Sequence, residues 1–357
     1  MSSYPDTKSN PAIPQPIKAP YDLDMSLAPN IIDISGLLEG HAPAVARVAV
    51  EIAEPCQRLG LFQIVGHGIS RKELTAFDQA MRAFFALSDD AKNLVRRSRD
   101  NAWGYYDEEL TKNRPDWKEV FDYGTESLEG RARAAHSDGV NRWPKGEAQL
   151  QRTLLNHHSA CTRIARALLK ALATSLGLAQ SRLDPYFEDD SSFTRLNYYP
   201  RCEDPAAPDA PPIPATGHLG VHPHSDAGAF TLLYQDEVSS LQVLDRNVFE
   251  TVQSEPDALT VNLGDMLRVW SNDRYRSPVH RVLARTDRER FSAPFFFNPR
   301  YDTLCSPLVG REESGFTPRF REVCWAHFRD QRSAGDFADY GSEIQVEDFL
   351  VDPGAPL

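Results

Sequence analysis

Cysteine is scarce: five occur in 357 residues, Cys56, Cys161, Cys202, Cys305 and Cys324, an odd number at wide spacings with no Cys-x-x-Cys pair. That excludes a disulfide framework and a thiolate zinc site, and it suits reduced thiols in a cytoplasmic protein. Positive charge is short as well, with 39 Lys and Arg against 51 Asp and Glu and a formal net charge of −12 at pH 7. Nucleic-acid phosphates and anionic lipids select basic patches, so neither is an expected partner. No stretch approaches the ~20 continuous apolar residues of a membrane helix. The first thirty residues are polar and proline-rich, without the basic and apolar blocks of a signal peptide. Internal repeats are absent too. A small-molecule partner fits what remains, and nothing in the composition sets an oligomeric state.

Apolar residues make up 41% of the chain, ample for a large core, and one elaborated domain is expected. Residues 1–28 carry Pro5, Pro11, Pro14, Pro16 and Pro20 with no periodicity and are expected to form a flexible tail. Residues 29–185 read as helices and short strands packing on a barrel. Ile31, Ile32 and Ile34 suggest a strand, and Leu61–Val65 a buried one. Helical spacing runs over Ala42–Leu59, where Pro55 is expected to bend or end the helix early, and over Lys72–Phe85. The strongest helix is Leu150–Leu176, with Leu154, Cys161, Ile164, Leu168 and Leu172 on one face and Gly177 as terminator.

From 186 to 300 the texture changes to short apolar runs between turn residues. Strands are predicted at Phe193–Tyr199, Phe230–Gln235, Leu241–Val243, Leu259–Val261, Met266–Trp270, Val279–Leu283 and Phe291–Phe297. That density predicts a mainly β fold with flanking helices, an antiparallel barrel or jelly roll. Cys202–Thr216 holds five prolines and reads as a surface loop. Residues 301–357 read as a loop and a last helix near Phe320–Phe328, completing a single functional unit.

His224 and Asp226 stand two apart in a segment of strand character, so both side chains face one way and can grip one ion. His280, in another predicted strand, completes two imidazoles and a carboxylate, the facial set that leaves coordination positions open on iron(II). His222 sets a further imidazole on the same face by alternation, and the choice between it and His224 stays open. Arg290 and Ser292 are also two apart, presenting a guanidinium fork and a hydroxyl to one carboxylate. Alternation puts Phe296 on their side, and Arg195, Asn197 and Tyr199 on one face of another strand. A pocket with Arg195 and Phe296 would suit a mostly apolar molecule carrying an acid or another acceptor group; the alternative is that Arg195 pairs with a protein carboxylate and Phe296 is core.

The runs Asn197-Tyr198-Tyr199-Pro200, Pro223-His224-Ser225-Asp226, Asn262-Leu263-Gly264-Asp265, Trp270-Ser271-Asn272, His280-Arg281-Val282 and Arg290-Phe291-Ser292 are joined by Gly60–Val65 and Asp116-Trp117-Lys118-Glu119. Together they resemble the plant-type 2-oxoglutarate/iron(II) dioxygenases, the isopenicillin N synthase-like group, over nearly the whole chain. The resemblance implies a double-stranded β-helix (jelly roll) core and iron held by His224, Asp226 and His280. It implies that Arg290 and Ser292, supported by Tyr199 and Asn197, hold the distal carboxylate of 2-oxoglutarate, and that Tyr105 and Tyr106 face substrate. The activity implied is hydroxylation, desaturation or cyclisation of a small organic metabolite, in secondary metabolism, using O2 and releasing succinate and CO2, with ascorbate as stimulant. Three rivals remain: an iron oxidase of the isopenicillin N synthase or aminocyclopropane-carboxylate oxidase type that does not use 2-oxoglutarate, a zinc hydrolase, and a non-catalytic ligand-binding barrel. The hydrolase lacks an obvious catalytic Glu near His224.

Overall fold

The computed structural model describes residues 26–98, 101–125, 139–311, 314–338 and 341–352. Two sheets carry the architecture. The larger has eight strands in the order Ile31–Asp33, Leu61–Val65, Leu259–Leu263, Phe230–Gln235, Arg290–Phe297, Phe193–Tyr199, Glu119–Gly124 and Gly104–Tyr106. The smaller has five, ordered Ser26–Leu27, Val248–Val252, Leu241–Asp245, His280–Leu283 and Leu219–His224. This is the mainly β, jelly-roll architecture expected from the strand density, built as two sheets with helices outside.

Strand alternation divides the larger sheet into two chemically different faces. On Arg290–Phe297, the odd positions Phe291, Ala293, Phe295 and Phe297 join the outer cores. The even positions Arg290, Ser292, Pro294 and Phe296 line a chamber on the other side. The neighbouring strands repeat the division, with Leu196 in an outer core while Arg195, Asn197 and Tyr199 line the chamber. Outside pack the helices Ala42–Arg58 and Ala148–Ser175, whose Val48, Ile52, Ile164, Leu168 and Leu172 are buried with Phe62, Val261 and Phe295. Burying each such side chain contributes about 1.5–3 kcal/mol, so this apolar face holds the sheet against its helices. Gly177, at φ +78°, takes the left-handed turn after the long helix, as expected of a terminator.

Several expectations need correction. Met266–Trp270 is not a strand but part of the helix Asp265–Trp270; all six residues are buried, so the apolar run had no periodicity to separate strand from helix. Gly264 precedes it, and a Cβ there would meet the Gly228 carbonyl oxygen at 2.3 Å, so only glycine permits this turn. Pro55 does not end its helix, which runs to Arg58. The last helix is Trp325–Gly335 rather than Phe320–Phe328; Phe320 forms a bridge with Leu350, and Val323–Cys324 pairs with Leu304–Cys305. Of the stretch read as a tail, residues 1–25 lie outside the described residues, and Ser26–Leu27 pairs in parallel with Thr251–Val252. No helix among the described residues is long and apolar enough to cross a membrane.

Candidate active site

His280 lies directly opposite His224 across the antiparallel pair formed by their strands. Between His224 and Val221 the register shifts, with three residues on one strand opposing two on the other. Such a bulge breaks strict alternation, and here it decides between the histidines. His222 turns away from His224: its backbone N–H and its Nδ1 both lie 3.0 Å from Asp116 Oδ1. Pro223 between them is tolerated because this strand is at the sheet edge.

The ligand atoms of His224, Asp226 and His280 all lie within 4.8 Å of one another. Asp226 Oδ1 faces His224 Nε2 at 3.6 Å and His280 Nε2 at 3.7 Å. His224 Nδ1 sits 2.8 Å from the His222 carbonyl and His280 Nδ1 3.1 Å from the Pro278 carbonyl. A carbonyl only accepts, so each ring carries its proton on Nδ1 and turns an Nε2 lone pair inward. Asp226 Oδ2 accepts from Thr231 Oγ1 and, at 2.7 Å, from Asn262 Nδ2, which leaves Oδ1 for a cation. Burial, then the adjacent His280, pushes the His224 imidazole down to about 3. Burial opposes ionisation of Asp226, yet His280, His224 and its two hydrogen bonds outweigh that and hold its carboxyl below the usual range. Two neutral imidazoles and a carboxylate fit a divalent transition metal. Thr231 and Asn262 were not foreseen in this role; they face each other across adjacent strands and both line the chamber, and strand alternation is the signal that could have found them.

A chamber of about 600 Å³, open to solvent, extends from the triad between the two sheets and contains Tyr199, Asn197, Arg290 and Ser292 in its lining. The register brings these together: Arg290 faces Tyr199 and Ser292 faces Asn197. Arg290 is 2% exposed, and its donors reach the Val238 carbonyl, Ser292 Oγ and Gln235 Oε1, each at 3.2 Å. All three acceptors are neutral, and no carboxylate lies within 4 Å of this guanidinium among the described residues. A buried cation with neutral partners is costly unless an anion completes the site. Asn197 Oδ1, buried without a partner in the same wall, is a second unfilled position.

A second chamber adjoins the first, sharing Lys118, Arg195, Val221, His224, Asp226 and Phe296 with it. Arg195 does line both, but its guanidinium is committed: Nε and NH2 reach Asp122 at 2.7 and 2.8 Å, and NH1 reaches Glu109 at 2.8 Å. Glu109 is also bound by Arg97 at 3.0 Å and Lys118 at 2.8 Å. Arg195 thus follows the alternative of a protein carboxylate partner. Phe296 stacks on Phe193 with ring centroids 4.8 Å apart and faces both chambers. Tyr105 packs in an outer core, its hydroxyl donating to Glu119 at 2.9 Å, and Tyr106 packs on Phe337 and Arg97. Neither tyrosine is brought to the chambers, because the Gly104–Tyr106 strand lies at the far edge of the larger sheet.

A jelly roll with two histidines and an aspartate at its mouth defines a class, the non-haem metal oxygenases, and comparison with known proteins narrows it. Residues 191–299 match the 2OG-Fe(II) oxygenase superfamily, and residues 30–146 match the non-haem dioxygenase in morphine synthesis N-terminal family. Jasmonate-induced oxygenase 2 of Arabidopsis thaliana is 30% identical over 336 residues, covering 92% of this chain and 85% of that protein. The 2-oxoglutarate-Fe(II) type oxidoreductase hxnY of Emericella nidulans is 31% identical over 318 residues, covering 83% and 86%. A crystal structure of JOX2 in complex with 2OG, Fe and JA superposes with a TM-score of 0.76 at 27% identity, covering 92% of this chain and 90% of that one. The chain belongs to the 2OG-Fe(II) oxygenase superfamily. It is a non-haem iron(II), 2-oxoglutarate-dependent oxygenase.

Proposed function

We propose that iron(II) is held by His224, Asp226 and His280, and that 2-oxoglutarate lies in the inner chamber with its distal carboxylate on Arg290 and Ser292. The single observation that carries this reading is the pairing of a three-ligand cluster within 4.8 Å with a buried guanidinium whose bonded partners among the described residues are all neutral, both facing one chamber. Tyr199 and Asn197 close the wall beside Arg290, the tyrosine ring centroid standing 4.9 Å from the guanidinium carbon. Bound iron with 2-oxoglutarate and O2 would supply an oxidant for an unactivated C–H bond, and succinate and CO2 would leave.

The protein's own part is to orient and to shield. Carbonyls of His222 and Pro278 fix the imidazole tautomers, while Thr231 and Asn262 fix the carboxylate. Substrate would enter by the outer chamber, a small organic molecule that is hydroxylated, desaturated or cyclised in secondary metabolism. Ascorbate would stimulate by keeping iron reduced. All five cysteines are unpaired, which supports a reducing, cytoplasmic setting. Iron-loaded protein incubated with 2-oxoglutarate and a metabolite extract is expected to form succinate. If substrate is oxidised without succinate, the enzyme is instead an oxidase that does not use 2-oxoglutarate.

A further inference from the structure

The Trp325–Gly335 helix supplies a wall of the outer chamber that strand alternation could not foretell. Trp325, Arg329, Arg332 and Asp336 recur at i, i+4, i+7 and i+11, so they share one helix face, and all four line the chamber. Four cations line it in all, and three are committed. Lys118 binds Glu109 and Asp116 at 2.8 and 3.0 Å; Arg195 binds Asp122 and Glu109; Arg332 binds Glu343 at 2.9 Å and donates to the Ser225 carbonyl at 2.5 Å. Arg329 has no hydrogen bond or ion pair among the described residues, and its guanidinium carbon rests 5.1 Å from the Phe193 ring centroid. A half-buried guanidinium backed only by an aromatic face is a fork of donors without an acceptor.

We propose that Arg329 determines substrate specificity, and that the substrate is an organic acid whose carboxylate docks on Arg329 while its apolar body lies along Phe193, Phe296 and Trp325 toward His224 and Asp226. The proposal rests on the outer chamber being the oxygenase's substrate site. Carboxylates in the same wall do not oppose it. Glu109 is matched by three cations and Glu343 by Arg332. Asp336 shares the chamber lining with Arg329 and lies within electrostatic reach of it, of Arg195 and of Arg97, but it forms no ion pair within 4 Å with any of them among the described residues. Burial, then Glu109, pushes the Asp336 carboxyl up to about 7, so it is readily neutralised.

The test uses the full chain loaded with iron and 2-oxoglutarate under anaerobic conditions. Calorimetry would follow binding of 3-phenylpropanoate, cyclohexylacetate and octanoate, each beside its primary amide, which keeps shape and removes charge. At least one acid is expected to bind about tenfold more tightly than its amide, ~1.4 kcal/mol. In Arg329→Gln that ratio falls to near one, and Arg329→Lys, which keeps the charge, recovers part of it. Circular dichroism of both variants checks folding; among the described residues Arg329 has no hydrogen bond or ion pair to lose. The proposal is overturned if every acid binds no better than its amide, including the case in which none binds, or if the preference survives in Arg329→Gln. Succinate formation by the wild-type protein is scored separately, so loss of the oxygenase reading is distinguishable from loss of the acid preference.

Discussion

Replacing Arg290 by leucine isolates the cosubstrate anchor. Its guanidinium is 2% exposed and bonded to three neutral oxygens, and Asp236 interacts with it only at longer range, so no carboxylate bonds it directly until one arrives. Charged hydrogen bonds contribute about 1.5–3 kcal/mol each, and a two-pronged contact therefore about 3–6 kcal/mol. At 1.4 kcal/mol per decade, the 2-oxoglutarate concentration for half-maximal succinate formation should rise roughly 10²–10⁴-fold. Stability without cosubstrate should change less, because removing an unpaired buried cation offsets part of the loss of its hydrogen bonds. Two assays check this: succinate formation against 2-oxoglutarate concentration, and the rise in Tm that saturating 2-oxoglutarate produces in the metal-loaded protein. The wild type should show a clear rise, and Arg290→Leu little or none, with its metal content intact. An unchanged half-saturating concentration would refute the anchor and leave the neutral contacts of Arg290 as purely structural.

Asp226→Ala should lose bound iron and activity together, whereas His222→Ala should keep its iron because that imidazole is turned to Asp116; metal analysis after desalting decides both. Asn262→Ala should loosen the Asp226 carboxylate and weaken iron binding about 10–100-fold, measured by competition with a chelator, and unaltered affinity would show that Thr231 alone orients the ligand. Stability should fall with acid from about pH 6.5, since burial holds the His157 imidazole down at about 3 and that of His158 at about 4. The unfolded chain then binds protons that the folded chain refuses, giving a slope up to ~1.4 kcal/mol per pH unit per histidine between 6.5 and those values. His157→Phe, stacked on Phe77 in place of the imidazole, should flatten that slope in denaturant titrations between pH 7 and 4.5; an unchanged slope would place the acid sensitivity elsewhere.

The chemistry of the site was legible in the sequence because strands encode faces. Arg290, Ser292 and Phe296 share a side by period two, as do Arg195, Asn197 and Tyr199, and the structure turns both sets toward one chamber. Residue type then supplied the rest, two imidazoles and a carboxylate in one set, a guanidinium and a hydroxyl in the other. Alternation failed where the backbone departs from it. The bulge between Val221 and His224 sends His222 to Asp116, and no side-chain pattern announces an extra residue in a strand. Asp265–Trp270 is buried all round, so its helical period was invisible.

What the sequence by itself determined was which chemical groups are present and which face of each strand they share, since local alternation is a property of the backbone alone. Only the tertiary structure decided which groups are already satisfied. Arg195 and Arg329 are the same residue type, yet Asp122 and Glu109, from segments 73 and 86 residues away from Arg195, neutralise one and leave the other open. A charge is committed or free according to which distant strand or helix packs against it.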